Sequence, residues 1–559
     1  FKVVGRVEDT PDDFPTVDVT SKTSGDKEWG DIAVPGNWTM QGYGQPHYTN
    51  WHMPFSPSVP PTVPVANPTG LYRTSFTLPK TWLADRRLVL QFGGVETCFS
   101  VWLNGVAVGL GKDSRLPSEF DITAMAKAGV NQLAVQVITW ADSSYLEDQD
   151  HWRQAGIHRS VTVIATAPAW IEDVFARGGY DHVSGAGDLA VTVRGGLIPS
   201  AGWKARVQVH DAGGKALFKT PLESELPFDL KCHNSRIEGL VTISAVVPKV
   251  SPWSNESPTL YTVITSLIDP AGHEVEATRT RLGFRSITIA DRELRINGKM
   301  VYIRGANRHD HHDRLGKAVD RTLMLRDIQV LKEHHFNAVR CSHYPNDPQW
   351  LDLCDEHGIY LIDETDLECH HHFNGLPNDP RFALAFLDRG MRMVLRDRNH
   401  PSVIAWSLGN ESGYGPNHDA MAGWMRHADP TRIIHYEGAI CRVFNSQGGG
   451  RATVGGDQWD KGHAATDLLC PMYPSINDLI EHVRESRDPR PLIMCEYNHA
   501  MGNSLGSFAD YWAAIESHHG LQGGFIWELL DHGIAAVRRN GAFHVVKPGE
   551  KREVWAYGG

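Results

Sequence analysis

The sequence predicts a multidomain chain of β and α/β class. A jelly-roll β-sandwich is expected over residues 1–166, an immunoglobulin-like β-sandwich over 167–285, and a (β/α)8 TIM barrel, incomplete at its C-terminus, over 286–559. Three observations carry this prediction. Apolar residues alternate with period two as far as about residue 285, the spacing of half-buried strands. Beyond that point short apolar runs alternate with helical patterns, which marks parallel β/α construction. Eight such runs can be counted, and eight β/α units close into a barrel.

In the first region the run Arg87-Leu-Val-Leu-Gln-Phe92 ends at Gly93-Gly94. Val101-Trp-Leu103 and Val106-Ala-Val108 flank Asn104-Gly105, a dipeptide that supplies the positive φ angles of a type I′ hairpin. Proline is dense from Pro54 to Pro68, which predicts a long extended loop. In the second region Leu189–Arg194, Ala205–His210 and Leu240–Ser244 alternate cleanly, and no pattern there suggests chemistry.

Barrel strands are expected to begin near Val301, Asn337, Tyr360, Val403, Ile433, Leu468, Leu492 and Gly524. Met324, Ile328 and Leu331 recur at helical spacing. Asp347-Pro348, an apolar face of Trp350, Leu353 and Cys354, and Gly358 make a complete helix signature. After the eighth strand about thirty residues follow with no clear helix, and no initiator Met opens the chain. The sequence therefore reads as a fragment lacking both ends. The outward side chains of Gly524–Leu530 are expected to face water for want of a closing helix.

Hydrophobic content of 41% and charged content of 21% fit an ordinary globular protein rather than a disordered one. A net charge of −12 argues against nucleic acid or an anionic membrane as the main partner. No window approaches the ~20 apolar residues of a membrane span. The eight cysteines, at 98, 232, 341, 354, 369, 441, 470 and 495, contain no Cys-x-x-Cys pair. They read as buried free thiols in a reducing compartment, hence a cytoplasmic protein.

Barrel active sites lie at the C-terminal ends of the strands. Those ends here read Asn307-Arg308-His309, Arg340-Cys-Ser-His343-Tyr344, Asp363-Glu364 with Glu368-Cys-His370, Asn410-Glu411, Met472-Tyr473, Glu496-Tyr497 with His499, and Trp527. A barrel with only a structural role has no need for so many polar groups there. Glu411 and Glu496 stand out at the ends of the fourth and seventh strands. Glycoside cleavage needs one carboxylic acid to protonate the leaving oxygen and one carboxylate at the anomeric carbon. Glu368-x-His370 is by spacing alone a faint metal signal, in which carboxylate oxygens with Glu411 could hold Mg2+.

Three longer runs carry a resemblance. Asp397-Arg-Asn-His-Pro-Ser-Val-Ile-Ala-Trp-Ser-Leu-Gly-Asn-Glu411 resembles the acid/base signature of glycoside hydrolase family 2, and Asn337-Ala-Val-Arg-Cys-Ser-His-Tyr-Pro345 resembles its other signature. Cys495-Glu-Tyr-Asn-His-Ala-Met-Gly-Asn-Ser504 is similar to the nucleophile segment of the bacterial lactase-type β-galactosidase branch, with Asn498 where Ala is usual. The similarity runs through nearly the whole chain, including Pro46–Asn50 and Ser144–Arg153.

The resemblance implies a retaining hydrolase of terminal, non-reducing β-D-galactosyl residues, lactose among them. Glu496 would be the nucleophile and Glu411 the acid/base. Transfer to a sugar acceptor would compete with water. Asn410 would bind the sugar 2-hydroxyl, and Asn50, Asp150, His309, His343, Met472, Tyr473, His499 and Trp527 would line the sugar. Mg2+ would sit on Glu368, His370 and Glu411. Na+ would sit on Asp150, with further ligands expected beyond Gly559. The full-length protein would be a homo-oligomer. Two rivals remain open: another specificity of this fold, such as β-glucuronidase or β-mannosidase, and a carbohydrate-binding protein without turnover.

Overall fold

The computed structural model describes residues 1–16, 29–228, 239–441, 459–547 and 549–558. Cys232 lies outside the described residues. The other seven cysteines form no disulfide, and all but the half-buried Cys441 are buried.

The first region is a sandwich of two antiparallel sheets. One carries the strands Lys2–Val4, Thr69–Leu78, Gly129–Ile138, Cys98–Leu103 and Val106–Lys112 in that spatial order. The other carries Val161–Thr166, Arg87–Phe92 and Ser118–Asp121. The alternation read from sequence gives the core directly: Phe99, Val101 and Leu103 share a cluster with Leu88, Leu90 and Phe92. Each such side chain contributes roughly 1.5–3 kcal/mol on burial. Leu103 pairs with Val106, and Asn104 and Gly105 between them have φ of 52° and 80°, as a type I′ hairpin requires. The proline-dense stretch forms neither helix nor strand. It is tied to the neighbouring loops, since Tyr145 donates to the Thr62 carbonyl at 2.6 Å and Ser58 lies 2.9 Å from His372 Nε2.

The second region packs Trp170–Tyr180, Gly187–Gly196 and Leu240–Val247 against Leu222–Glu225, Lys204–His210, Tyr261–Ile268 and Glu274–Leu282. Its interior is mostly aliphatic, with Val191, Val193, Ala205, Val207, Val209 and Val263 fully buried beside Trp203, Tyr261 and Phe284. It holds the barrel through Asn399, whose side chain donates to the Val174 carbonyl at 2.8 Å and accepts from the Ala176 amide at 2.9 Å.

The barrel follows. Seven parallel strands run in the order Ile433–His435, Val403–Ser407, Tyr360–Glu364, Ala338–Cys341, Ile303–Arg308, Leu521–Ile526, Leu492–Tyr497. The expected sixth strand near Leu468 is not a regular strand. Only Leu469 and Met472 bridge to Leu492 and Glu496. Pro471 has no amide to donate to a ladder. The segment still closes the circuit, because the Asp467 amide donates to Ile434 on one side and the Ile493 amide to Leu469 on the other, both at 2.8 Å. Two expected helices appear as read. Arg321–Glu333 buries Met324, Ile328 and Leu331, and Pro348–His357 is capped by Asp347 at one end and by Gly358, with φ 68°, at the other.

No helix follows the eighth strand among the described residues. An antiparallel sheet of Ala542–Val545, Ile534–Arg539 and Val554–Ala556 comes instead. Ile534 packs there with Met40 and Trp152 of the first region. The expectation that Gly524–Leu530 would be bared to water is therefore corrected. Phe525 and Trp527 are buried, Ile526, Glu528 and Leu529 are partly covered, and only Leu530 is exposed. The helix Phe508–Ser517 buries Ala514 and Ile515, and Ile515 joins Leu521 in the core cluster beside this strand.

Candidate active site

The barrel interior changes character from one end to the other. Near the entry of the strands Ile303, Ala338, Tyr360, Ile362, Ile404, Leu468, Ile493 and Phe525 form an apolar plug with Leu294 and Ile296 of the preceding hairpin. At the exit of the strands the interior becomes ionic. Arg340, fully buried, is the hub. Its Nε and Nη2 donate to Glu364 at 2.7 and 3.1 Å, its Nη1 to Glu496 at 2.8 Å, and Nη2 also to Asn410 Oδ1 at 2.7 Å. Opposite charge this close holds both partners in place. Burial would raise Glu364, but Arg340 and His343 hold it below the usual carboxylate range.

Glu496 is the last residue but one of the strand Leu492–Tyr497 and is 4% exposed. One carboxylate oxygen accepts from Arg340. The other accepts from the Tyr473 hydroxyl at 2.6 Å. Burial is the largest influence and pushes its pKa up to about 7, with the charge of Glu411 adding to it against Arg340 and Tyr473. Tyr473, 43% exposed with φ 47°, reaches back over Glu496 because Met472 bridges the Glu496 backbone and the Tyr473 amide donates to the Glu496 carbonyl.

Glu411 follows the strand Val403–Ser407, with φ of 30° and its amide donating to Glu437 at 2.8 Å. Asn410 before it is fixed in one orientation: Oδ1 accepts from Arg340 and Nδ2 donates to Glu368 at 3.1 Å. Glu368, His370 and Glu411 each offer a ligand atom within 4.8 Å of the others. His370 Nδ1 lies 3.5 Å from a carboxylate oxygen of each glutamate. Glu368 Oε1 and His370 Nδ1 are buried without a hydrogen-bond partner. Burial raises Glu368 to about 8, whereas Glu411 and Glu368 outweigh burial at His370 and hold it up at about 10. Two carboxylates and an imidazole with orphaned buried donor atoms fit a divalent cation such as Mg2+.

Aromatic and imidazole rings wall the remaining side. The Trp527 and His343 rings stack with centroids 5.0 Å apart and planes within 7°. His343 Nδ1 sits 2.8 Å from Glu364, and burial with Arg340 nearby lowers its pKa to about 4. His309 faces the Tyr344 hydroxyl at 3.0 Å and lies edge-on to Trp527. His499, half-buried, is within 5.8 Å of the Tyr473 ring and 6.4 Å of Trp527.

Asn50 and Asp150 come from loops of the first sandwich. The loop bearing Asp150 is laced to the barrel: the Asp148 amide donates to the Glu368 carbonyl at 3.1 Å, the Glu368 amide to Leu146 at 2.8 Å, and Gln149 to Asp366 at 3.1 Å. Asp150 accepts from Tyr48 at 2.6 Å and from Asn50 at 3.0 Å, and its charge reaches His343 and His499. Asp150 is in none of the groups of three or more acidic, histidine or cysteine ligand atoms found among the described residues. Asn50 is exposed at the rim.

The structure thus places every residue singled out from sequence at or around one mouth. It adds four that were given no role: Arg340, Glu364, Asn307, which accepts from Arg340 at 3.1 Å, and Glu437, which burial raises to about 8. An arginine inside the fully buried strand Ala338–Cys341 was the available signal for the first.

A family model described as the TIM barrel domain of glycosyl hydrolases family 2 matches residues 287–551, the family's sugar binding domain matches 12–168, and a third family 2 model matches 169–285. The chain belongs to glycosyl hydrolase family 2. Among curated relatives it is 41% identical to a β-galactosidase of Photobacterium profundum over 96% of this chain and 50% of that protein. It is 40% identical to a β-galactosidase of Vibrio vulnificus over 100% of this chain and 52% of that protein. The chain spans about half the length of the curated relatives it matches. In fold it is similar to a family 2 member from Bacteroides cellulosilyticus, with TM-score 0.72 and 21% identity over 95% of this chain and 66% of that one. A Bifidobacterium dentium β-glucuronidase has the same TM-score of 0.72 at 20% identity, over 93% and 90%.

Proposed function

We propose that this chain carries the active site of a retaining glycoside hydrolase that releases terminal, non-reducing β-D-galactosyl residues, with lactose as substrate and transfer to a sugar acceptor as a side reaction. One observation carries the reading: Glu496 is held by Arg340 at 2.8 Å and Tyr473 at 2.6 Å, close enough to Glu411 to feel its charge. A carboxylate fixed through both oxygens is pre-aimed, so little ordering is left to do when substrate binds. Glu496 attacks the anomeric carbon while Glu411 protonates the departing oxygen. Glu411 then takes a proton from water, or from an acceptor hydroxyl, as that oxygen displaces Glu496. Asn410, locked by Arg340 and Glu368, presents its amide to the sugar 2-hydroxyl.

Trp527 and His343 offer the sugar a flat face, with His309, His499, Met472 and Asn50 around its edge. Glu368, His370 and Glu411 would hold Mg2+, which when bound supplies positive charge beside the acid/base and tunes its proton release. The identity to curated β-galactosidases supports galactose over glucuronic acid. So does Asp150, since a carboxylate at carbon six would meet its negative charge rather than a cation.

The test is labelling with a 2-deoxy-2-fluoro-galactoside. The label is expected on Glu496, and a label on any other residue overturns the assignment. Nitrophenyl galactoside should be cleaved and the glucuronide and mannoside left intact. Preference for either of those overturns the specificity.

A further inference from the structure

Three buried histidines converge beside the sugar pocket from distant parts of the chain: His151 from the sandwich loop, His309 at the end of the first barrel strand, and His532 beyond the last. One ring nitrogen of each lies within 4.8 Å of those of the other two. The ring centroids are 4.6 Å apart for His151 and His309, 4.5 Å for His151 and His532, and 4.4 Å for His309 and His532.

Buried polar atoms are normally satisfied. In each of these rings one nitrogen faces an oxygen: His151 Nδ1 at 3.3 Å from the Trp152 carbonyl, His309 Nδ1 at 3.0 Å from the Tyr344 hydroxyl, His532 Nε2 at 2.7 Å from Glu528. Nε2 of His151, Nε2 of His309 and both ring nitrogens of His532 have no hydrogen-bond partner, and neither has the Glu528 Oε2 that lies beside His532 Nε2. At His151 the Trp152 carbonyl can only accept, so the proton stays on Nδ1 and Nε2 keeps its lone pair, which is how metal-binding histidines are oriented; His309 presents Nε2 in the same way when its Nδ1 donates to the Tyr344 hydroxyl. Burial, first among the causes, also keeps His151 and His309 neutral by holding them well below their ordinary range. Lys317, whose charge is felt at His151, is paired with Glu96 at 3.0 Å, and Glu528 brings a carboxylate to the opposite side.

We propose that His151, His309 and His532 form a site for a divalent transition ion of the zinc or nickel class, separate from the Glu368–His370–Glu411 cluster. Three imidazoles with room for a further ligand suit such ions, whereas Mg2+ prefers oxygen. One consequence rests on the sugar-binding role proposed above for His309: an ion that takes His309 competes with the sugar.

The experiment titrates this chain, kept in excess Mg2+, with Zn2+ and with Co2+, following heat and the visible spectrum of bound cobalt. One ion that Mg2+ does not displace is expected. His151→Asn and His532→Gln should each weaken it about tenfold or more, since even outer partners of a metal site contribute that much. Anomalous diffraction at the zinc edge from soaked wild-type crystals needs no variant, and a peak among the three imidazoles is expected. A peak only at Glu368, His370 and Glu411, or unchanged zinc affinity in both variants, overturns the site. Zn2+ should also raise KM for nitrophenyl galactoside in the wild type and not in His151→Asn. Binding with no change in KM would leave the metal site standing and remove His309 from sugar binding.

Discussion

The second sandwich and the barrel mouth bury their interiors about equally deeply and fill them with opposite chemistry. Val191, Val207, Val209 and Val263 have no accessible surface, and neither do Arg340, Glu364, Ser407 and His435. The sandwich needs only matched volume, so its buried side chains are interchangeable in kind. The mouth takes charges out of water, and each must be repaid by a partner of the right sign and direction. Arg340 alone serves Glu364, Glu496, Asn410 and Asn307. Apolar burial holds the chain together, and ionic burial aims particular atoms.

The largest expected effect sets that contrast at its extreme. Glu496→Gln keeps shape and burial but removes the attacking charge. Turnover of nitrophenyl galactoside should drop by at least about 10³-fold, with the circular dichroism spectrum and melting temperature close to wild type. Loss of fold together with activity would make Glu496 a structural group instead. Arg340→Met comes next and should act on both properties. It leaves Glu364 and Glu496 buried without their cation, a change that costs about 3–5 kcal/mol. Urea unfolding at neutral pH should show that loss, and it should shrink in acid, where the two carboxylates are protonated. A loss that is equal at both pH values would mean that packing, not charge, is what Arg340 supplies.

Fold and site are legible in the sequence to different depths. Period-two runs, Asn104-Gly105 and the Asp347–Gly358 helix signature act within a few residues, so local physics suffices to read them. The sixth strand was misread because an apolar run around Leu468 looks like a strand, while Pro471 limits it to isolated bridges. The wetted outer face expected after Gly524 failed for a different reason: its cover comes from parts of the chain that the local pattern cannot bring together. The glutamates and histidines at strand ends were visible because chemistry in a barrel concentrates there. Arg340 received no role because its partners lie 24 and 156 residues away and meet it only when the barrel closes. Asp150 entered through resemblance alone, since nothing local ties its loop to Glu368.

The pH profile sharpens the account of the mouth with a smaller effect. Glu496 must be ionised to attack, and burial holds its pKa up at about 7. kcat/KM should therefore fall as pH drops through about 7. The sign for stability is opposite to that of a salt-bridged carboxylate. Between the ordinary value of 4.5 and about 7 the folded chain keeps a proton that the unfolded chain releases, so this group's contribution is present at low pH and lost as pH rises through that window. Tyr473→Phe removes the hydrogen bond that lowers Glu496. A bond to a charged group contributes about 1.5–3 kcal/mol, so activity at pH 6 should fall about tenfold or more and the acid limb should move to higher pH. An acid limb that stays in place would separate Tyr473 from the ionisation of Glu496.

The smallest effect belongs to the sandwich. Val207 sits in the strand Lys204–His210, opposite Leu222 and Thr265 on its two neighbours, with no accessible surface. Val207→Ala removes two methyl groups from a close-packed core and should cost about 2 kcal/mol, from lost burial and the cavity left behind. That cost should appear in the denaturation midpoint and not in the kinetics. The core around Val207 is mostly aliphatic, and the groups by which the sandwich grips the barrel lie outside it: main-chain atoms of Val174 and Ala176 on Asn399, Arg285 on the Pro401 and Val403 carbonyls, and Asp173 paired with Arg398. Packing losses at a distance from the reacting groups add independently to whatever is done at the site. kcat and KM at 25 °C should therefore stay within about twofold of wild type, and Val207→Ala combined with Tyr473→Phe should show the product of the two separate effects. A KM that rises several-fold in Val207→Ala, with the fold intact, would mean that the second sandwich sets the geometry of the mouth, and the contrast between the two interiors would no longer divide structure from function.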